Sequence, residues 1–131
     1  MITVIAAIIH HQGQLLIARR ASHKSLAGFW EFPGGKLEFG ETAEMCLIRE
    51  IYEELQIRIT VEDFFCTTTH NYGSFEIELQ TYHCTYVTGD VQLIDHDAYD
   101  WASSLELGNY LWAPADLPIV SLLQATRSTS S

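Results

Sequence analysis

Glu50, Glu53 and Glu54 crowd into five positions of the stretch GKLEFGETAEMCLIREIYEELQI, residues 35–57. On a helix turning about 100° per residue, Glu54 lies about 40° to one side of Glu50 and Glu53 about 60° to the other, so all three share one arc. Like charges at these spacings cost an isolated helix about 0.2–0.5 kcal/mol per pair. A solvated acidic face is the competing reading, but such faces usually interleave lysine. Between Glu41 and Gln56 the only cation is Arg49. A bound cation accounts better for the convergence, and carboxylate oxygens suit Mg2+ or Mn2+. The preceding PGGK brings backbone beside the same helix, where carbonyls can ligate metal and amides can meet phosphate oxygens.

These carboxylates need a helix with a buried opposite face. Thr42 to Leu55 has that periodicity, with Leu47, Ile48, Ile51, Tyr52 and Leu55 facing a core and Arg49 on the flank beside Glu53. Small residues, Ala43 and Cys46, leave room on the carboxylate side. Ile2–Ile9 and LLIAR read as neighbouring strands around the polar HHQGQ, and ASHKSLAGFW as a loop. EFPGGK reads as a tight turn. IRITVEDFFCTTTH and FEIELQTYHCTYV read as two long strands, a shorter strand follows near Tyr99–Trp101, and PADLPIVSLLQATR is a terminal helix before a frayed STSS. Strands on both sides of a central helix, with a second helix at the end, predict an α/β fold in which helices pack on a mixed sheet, within one domain spanning 1–131.

Composition narrows the partners. The net charge of −10 argues against a nucleic acid polymer, whose affinity comes mostly from Lys and Arg. A single nucleotide whose charge is met by metal ions remains compatible. Cys46, Cys66 and Cys84 form no CxxC pair and read as buried or half-buried thiols in a reducing cytosol. The six histidines lack zinc-ligand spacing. Trp30, Trp101 and Trp112 read as core or pocket wall. The apolar opening MITVIAAII is too short to span a bilayer and lacks a basic flank, so the expectation is a cytoplasmic protein without a membrane segment, monomer or homodimer.

Gly35, Glu41, Arg49, Glu50, Ile51, Glu53, Glu54 and Ile57 match in type and spacing the Gly-x5-Glu-x7-Arg-Glu-U-x-Glu-Glu-x-Gly-U signature that the Nudix hydrolases carry. The chain resembles that family, and LLIARR, LAGFWEFPGGKLEFGET and APADLP extend the likeness toward its MutT-like branch, including CTP and 8-oxo-dGTP pyrophosphohydrolases. One position departs: Gln56 stands where the signature has Gly. That Gly ends the helix in a left-handed conformation, at a cost of about 1–2 kcal/mol for another residue.

The resemblance implies an α/β/α sandwich around a mixed sheet and hydrolysis of nucleoside triphosphates to monophosphate and diphosphate with Mg2+ or Mn2+. Carried over by position, Glu53 and Glu54 are metal ligands together with the Gly34 or Gly35 carbonyl. Glu50 is a further ligand or the base that activates water. Arg49 orients the glutamates and Glu41 supports the loop–helix geometry. An acid before a strand Trp completes the metal site: Asp95, with Asp97 and Asp100 as rivals. Arg20, Phe32 and Asp116 line the nucleotide site. Ionised, Asp116 accepts from an amine such as cytosine N4; protonated, it also donates, which admits 8-oxo-dGTP. It is also placed to cap the terminal helix. An ADP-ribose or dinucleotide polyphosphate hydrolase, and a non-catalytic ligand-sensing module, are the alternatives on the same fold.

Overall fold

The computed structural model describes residues 1–129, with side chains described as far as Ala125. Strand β1 (Ile2–His11) is buried on both faces from Ile5 to Ile9, which explains its unbroken apolar run and places it centrally. A two-residue turn at Gln12 and Gly13, both with positive φ (51° and 77°), returns the chain into β2 (Gln14–Arg20). The two strands pair only at His10↔Leu15 and His11↔Gln14 and then diverge.

On its other edge β1 runs parallel to β6 (Glu76–Thr88), which pairs antiparallel with the edge strand β5 (Arg58–Asn71). Two short strands, β3 (Trp30–Glu31) and β4 (Gly34–Lys36), fill the space where β1 and β2 part: β3 pairs with β2 and β4 with β1. β7 (His96–Ala102) pairs antiparallel along β2. The sheet is therefore mixed, as expected.

Each face carries one core. Ile5, Ala7 and Ile9 pack with Leu47, Ile51 and Leu55 of α1 (Ala43–Leu55), while Ala6, Ile8 and Ile17 pack with Ile119, Val120 and Leu123 of α2 (Leu117–Thr129). The alternation of β1 side chains thus splits one strand between two layers, and full burial of each large aliphatic side chain is worth about 1.5–3 kcal/mol.

Several expectations are corrected. EFPGGK is not one tight turn: Glu31 ends β3, and Gly34-Gly35-Lys36 is a strand in the sheet. Tyr52 is 38% exposed rather than core, its ring lying under the Arg58 guanidinium at 3.7 Å, and Cys46 takes its place in the buried set. β7 begins at His96, three residues before the predicted strand. The terminal helix starts as a 3-10 turn over Pro114–Asp116 before α2, and another 3-10 turn covers Ser104–Asn109, where no element was expected. α2 continues through Thr129, and the remainder of the frayed ending, Ser130 and Ser131, lies outside the described residues. Cys46 and Cys84 are buried free thiols and Cys66 is half-buried. Among the described residues, no helix is long and apolar enough to cross a membrane.

Candidate active site

The start of α1 sets the phase of its carboxylates. Thr42 Oγ1 accepts from the Met45 amide at 3.1 Å, and burial of Cys46, Leu47, Ile51 and Leu55 locks the rotation of the helix. Glu50 and Glu54 then face β4 and the cavity beside it.

Two glycines make that approach feasible by lacking a side chain. A Cβ on Gly34 would lie 1.9 Å from the Ile5 carbonyl oxygen, so β4 can join β1 only with Gly there. A Cβ on Gly35 would lie 2.3 Å from Glu50 Cδ. Neither has a positive φ, so close approach, not turn geometry, is what the pair supplies. Cys46 Sγ sits 3.5 Å from the Lys36 carbonyl oxygen and 3.8 Å from that of Gly35, beneath the same segment.

Arg49 ties the loop to the helix. Its Nε and Nη2 donate to the two oxygens of Glu41 at 2.7 and 2.9 Å, Nη1 donates to Glu50 at 2.8 Å and Glu53 at 3.3 Å, and Nη2 also reaches the Lys36 carbonyl at 3.4 Å. The Glu41 carboxylate also accepts from the Glu38 amide at 3.0 Å. The Arg49 hydrogen bonds, then that amide, pull the Glu41 carboxyl down to about 2.

A cavity of about 530 Å³ opens between β4, α1 and the loops at the strand ends, a volume within the range of small-molecule sites. Gly34, Gly35, Glu50, Glu54 and Asp95 line one end, and Phe32, Ala115 and Asp116 the other. Of the three helix carboxylates, only Glu53 is not in the lining. It is exposed, held toward Arg49.

Glu54 is the most perturbed of the three. Its Oε1 is buried without a hydrogen-bond partner. Burial first, then the Glu31, Glu50 and Asp95 carboxylates, push its carboxyl up to about 8. Burial also raises Glu50, against the opposing pull of Arg49. Among the described residues, no three His, Cys, Asp or Glu side chains stand close enough to cage an ion as they lie. The donors line a shared cavity without forming such a cluster.

The three aspartates of DHDAYDW separate cleanly. Asp95 lines the cavity and faces Lys24 Nζ at 3.9 Å; Asp97 points outward to Arg19 at 2.7 Å; Asp100 accepts from the Tyr110 hydroxyl.

At the other end Asp116 is 6% exposed and accepts from the Phe32 amide at 2.9 Å, a bond that fastens the 3-10 turn before α2 to the link between β3 and β4. Burial, reinforced by the nearby Glu31 charge, raises its carboxyl well above the ordinary carboxylate range. Phe32 stacks on Trp112 with ring centroids 4.8 Å apart. Arg20 lines the cavity, donating to Glu31 at 3.0 Å and to the Ser25 carbonyl at 2.6 Å. Sequence reasoning missed Glu31, Lys24, Tyr72 and His96, all in the lining. None stands in a pattern of its own; pairing across β2, β3 and β7 brings Glu31 and His96 in.

The chain belongs to the Nudix family of hydrolases: the NUDIX domain pattern matches residues 4–122. Within the family it is MutT-like. It is 38% identical to the CTP pyrophosphohydrolase of Escherichia coli (strain K12) over 128 residues, covering 98% of this chain and 95% of that protein. It is 33% identical to a putative 8-oxo-dGTP diphosphatase 2 of Mycobacterium tuberculosis over 131 residues, covering 98% and 92%. The solution structure of the E. coli ORF135 protein superposes with a TM-score of 0.84 at 36% identity, covering 98% of this chain and 92% of that one. The MutT protein from Methanosarcina mazei Go1 gives 0.86 at 25% identity, covering 96% and 94%.

Proposed function

We propose that this hydrolase converts nucleoside triphosphates to monophosphate and diphosphate with the aid of Mg2+ or Mn2+, taking CTP, dCTP or an oxidised nucleotide such as 8-oxo-dGTP, as a cytoplasmic enzyme of the nucleotide pool. The observation that carries the reading is the buried, unpartnered Glu54 oxygen, which shares a cavity with Glu50, Glu31 and Asp95. An isolated buried carboxylate is costly, and an all-oxygen donor set fits a hard dication. Glu50, Glu54 and Asp95, with the Gly34 or Gly35 carbonyl, are the groups to hold it; Glu53 joins them only by turning inward from Arg49. Bound there, such a cation neutralises phosphate charge and acidifies water.

The remaining work falls to the chain itself. Water oxygen bonds to the β-phosphorus, and the bond from that phosphorus to the oxygen bridging the α-phosphate breaks, leaving nucleoside monophosphate and diphosphate. Glu50, which lines the cavity, is a further ligand or the acceptor of the water proton. Arg49 restrains Glu50 while Glu41 anchors Arg49. At the base end, Asp116 already accepts from Phe32 through Oδ2, leaving its other oxygen for a nucleobase. As a carboxylate that oxygen accepts from cytosine N4; as an acid it donates to a carbonyl such as that of 8-oxoguanine.

The deciding experiment is steady-state kinetics over canonical and oxidised nucleotides with Mg2+ or Mn2+ and full product identification. Monophosphate plus diphosphate from CTP, dCTP or 8-oxo-dGTP supports the reading. No turnover across the panel removes it, and turnover of ADP-ribose or dinucleotide polyphosphates alone replaces it with a different hydrolase.

A further inference from the structure

β2 and β7 pair in step from Leu15↔Ala102 to Arg19↔Ala98, and then the register slips so that Arg20 lies opposite His96. Asp97 is the extra residue. Such a bulge re-aims side chains: Asp97 turns outward to Arg19, and His96 turns inward, 5% exposed, into the cavity wall.

There His96 Nε2 lies 2.8 Å from Glu31 Oε2, while Arg20 Nη1 donates to Glu31 Oε1 at 3.0 Å. Each oxygen of Glu31 is thus held by a different neighbouring strand. His96 Nδ1 is buried without a partner. A neutral imidazole carries one donor and one acceptor, so with a carboxylate at Nε2 that nitrogen donates and Nδ1 keeps the bare lone pair. A buried unpaired acceptor is a cost that a leucine would avoid; packing alone does not call for histidine here. Glu31 stands between the two ends of the cavity, its charge acting on both Glu54 and Asp116. In a bound nucleotide the group between base and phosphates is the sugar.

We propose that His96 is a positioning residue: its Nε2–H fixes Glu31 as an oriented anionic acceptor for the 3′-hydroxyl of the substrate sugar. The inference rests on the nucleotide-hydrolase reading above and adds to it a role for a residue outside the Nudix signature. Arg20 alone holds one oxygen and leaves the carboxylate free to swing about that contact; the second donor removes the freedom, so that the remaining lone pairs face the cavity before substrate arrives.

The test compares dCTP with 2′,3′-dideoxy-CTP, which lacks only the 3′-hydroxyl, in the wild type, His96→Leu and His96→Gln. In the wild type, loss of the hydroxyl raises KM about tenfold, the scale of a hydrogen bond to a charged group. In His96→Leu the KM for dCTP rises toward that for the dideoxy substrate and the discrimination shrinks to about twofold or less. His96→Gln, whose amide supplies a donor at similar reach, restores most of it. A purely structural role predicts the opposite order, since leucine suits a buried wall better than glutamine. Nitrogen-15 spectra of the wild-type imidazole add a readout independent of turnover: Nε2 protonated and Nδ1 bare. The Nδ1-protonated tautomer overturns the proposal, as does equal KM for both substrates in the wild type or undiminished discrimination in His96→Leu. If dCTP, CTP and 8-oxo-dGTP are all inert, the function reading falls and this inference with it. If dCTP is turned over and the dideoxy substrate matches it, only this inference falls.

Discussion

Gly35 and Glu50 are in contact in the most literal sense: the space a Gly35 Cβ would need holds the Glu50 carboxylate, with Cδ 2.3 Å and Oε2 2.4 Å from that position. We predict that Gly35→Ala pushes the Glu50 carboxylate off its seat between β4 and Arg49. Turnover should fall by about 100-fold or more, given how steeply catalysis depends on placement. The melting temperature should fall less than for Gly34→Ala, where the added carbon meets the Ile5 backbone rather than the end of a side chain. Kinetics and thermal melts of the two variants check this, and an active Gly35→Ala enzyme refutes it.

The state of Glu54 predicts a pH-dependent stability. Its carboxyl is raised to about 8 in the folded chain, against about 4.3 unfolded. The folded state therefore holds the extra proton between these values. Its contribution to stability is fully present below the unfolded pKa and is lost as pH rises through about 8. In metal-free protein, denaturant midpoints should decline over this window, and Glu54→Gln should flatten the decline while lowering turnover by about 100-fold or more. Added Mg2+ should stabilise the wild type more at pH 8.5 than at pH 6 and do little for the variant. Parallel pH curves for the two proteins sink the assignment.

Gln56 occupies the left-handed conformation, φ 60° and ψ 27°, at the end of α1, where the Nudix signature has Gly. Its side chain offsets part of the strain, Nε2 donating to the Tyr52 carbonyl at 2.7 Å while its own amide donates to the same oxygen at 2.9 Å. Gln56→Gly should therefore stabilise by about 0.5–1 kcal/mol, less than the full left-handed penalty. Gln56→Ala keeps the strain, loses the side-chain bond, and should destabilise by about 0.5–1 kcal/mol. Chemical denaturation measures both, with no change in kcat expected because neither residue touches the cavity.

Asp116→Asn should keep the Phe32 anchor, since the amide oxygen can still accept, while removing any titration at the base end. Burial raises the Asp116 carboxyl in the folded protein, so the wild type should favour a donor-dependent base at lower pH and lose that preference as pH rises. The variant's ratio of kcat/KM for 8-oxo-dGTP over CTP should be flat with pH. An identical pH dependence in both proteins would remove Asp116 from base recognition.

Local chemistry made much of this protein legible in one dimension. A helix period and a fixed spacing of acids are properties of neighbouring residues, so α1 and the metal-directed reading came from the chain alone. The roles of Arg49 and Glu41 came with the Nudix resemblance, and the Arg49–Glu41 ion pair itself emerged only in the fold. The left-handed end of α1 at Gln56 was likewise implied by that resemblance, through the Gly its signature carries there. Contacts across the fold were another matter. Glu53 shares an arc with Glu50 and Glu54, yet Arg49 and the position of β4 leave it outside the cavity. Asp95, Asp97 and Asp100 are alike in sequence and are told apart only by a bulge against β2. Gly34 and Gly35 proved to matter for what lies against them, and Glu31 and His96 form no motif until three strands bring them together. Spacing along a chain encodes direction on one element, whereas burial, field and partner depend on elements distant in sequence, and only the packed tertiary structure decides those.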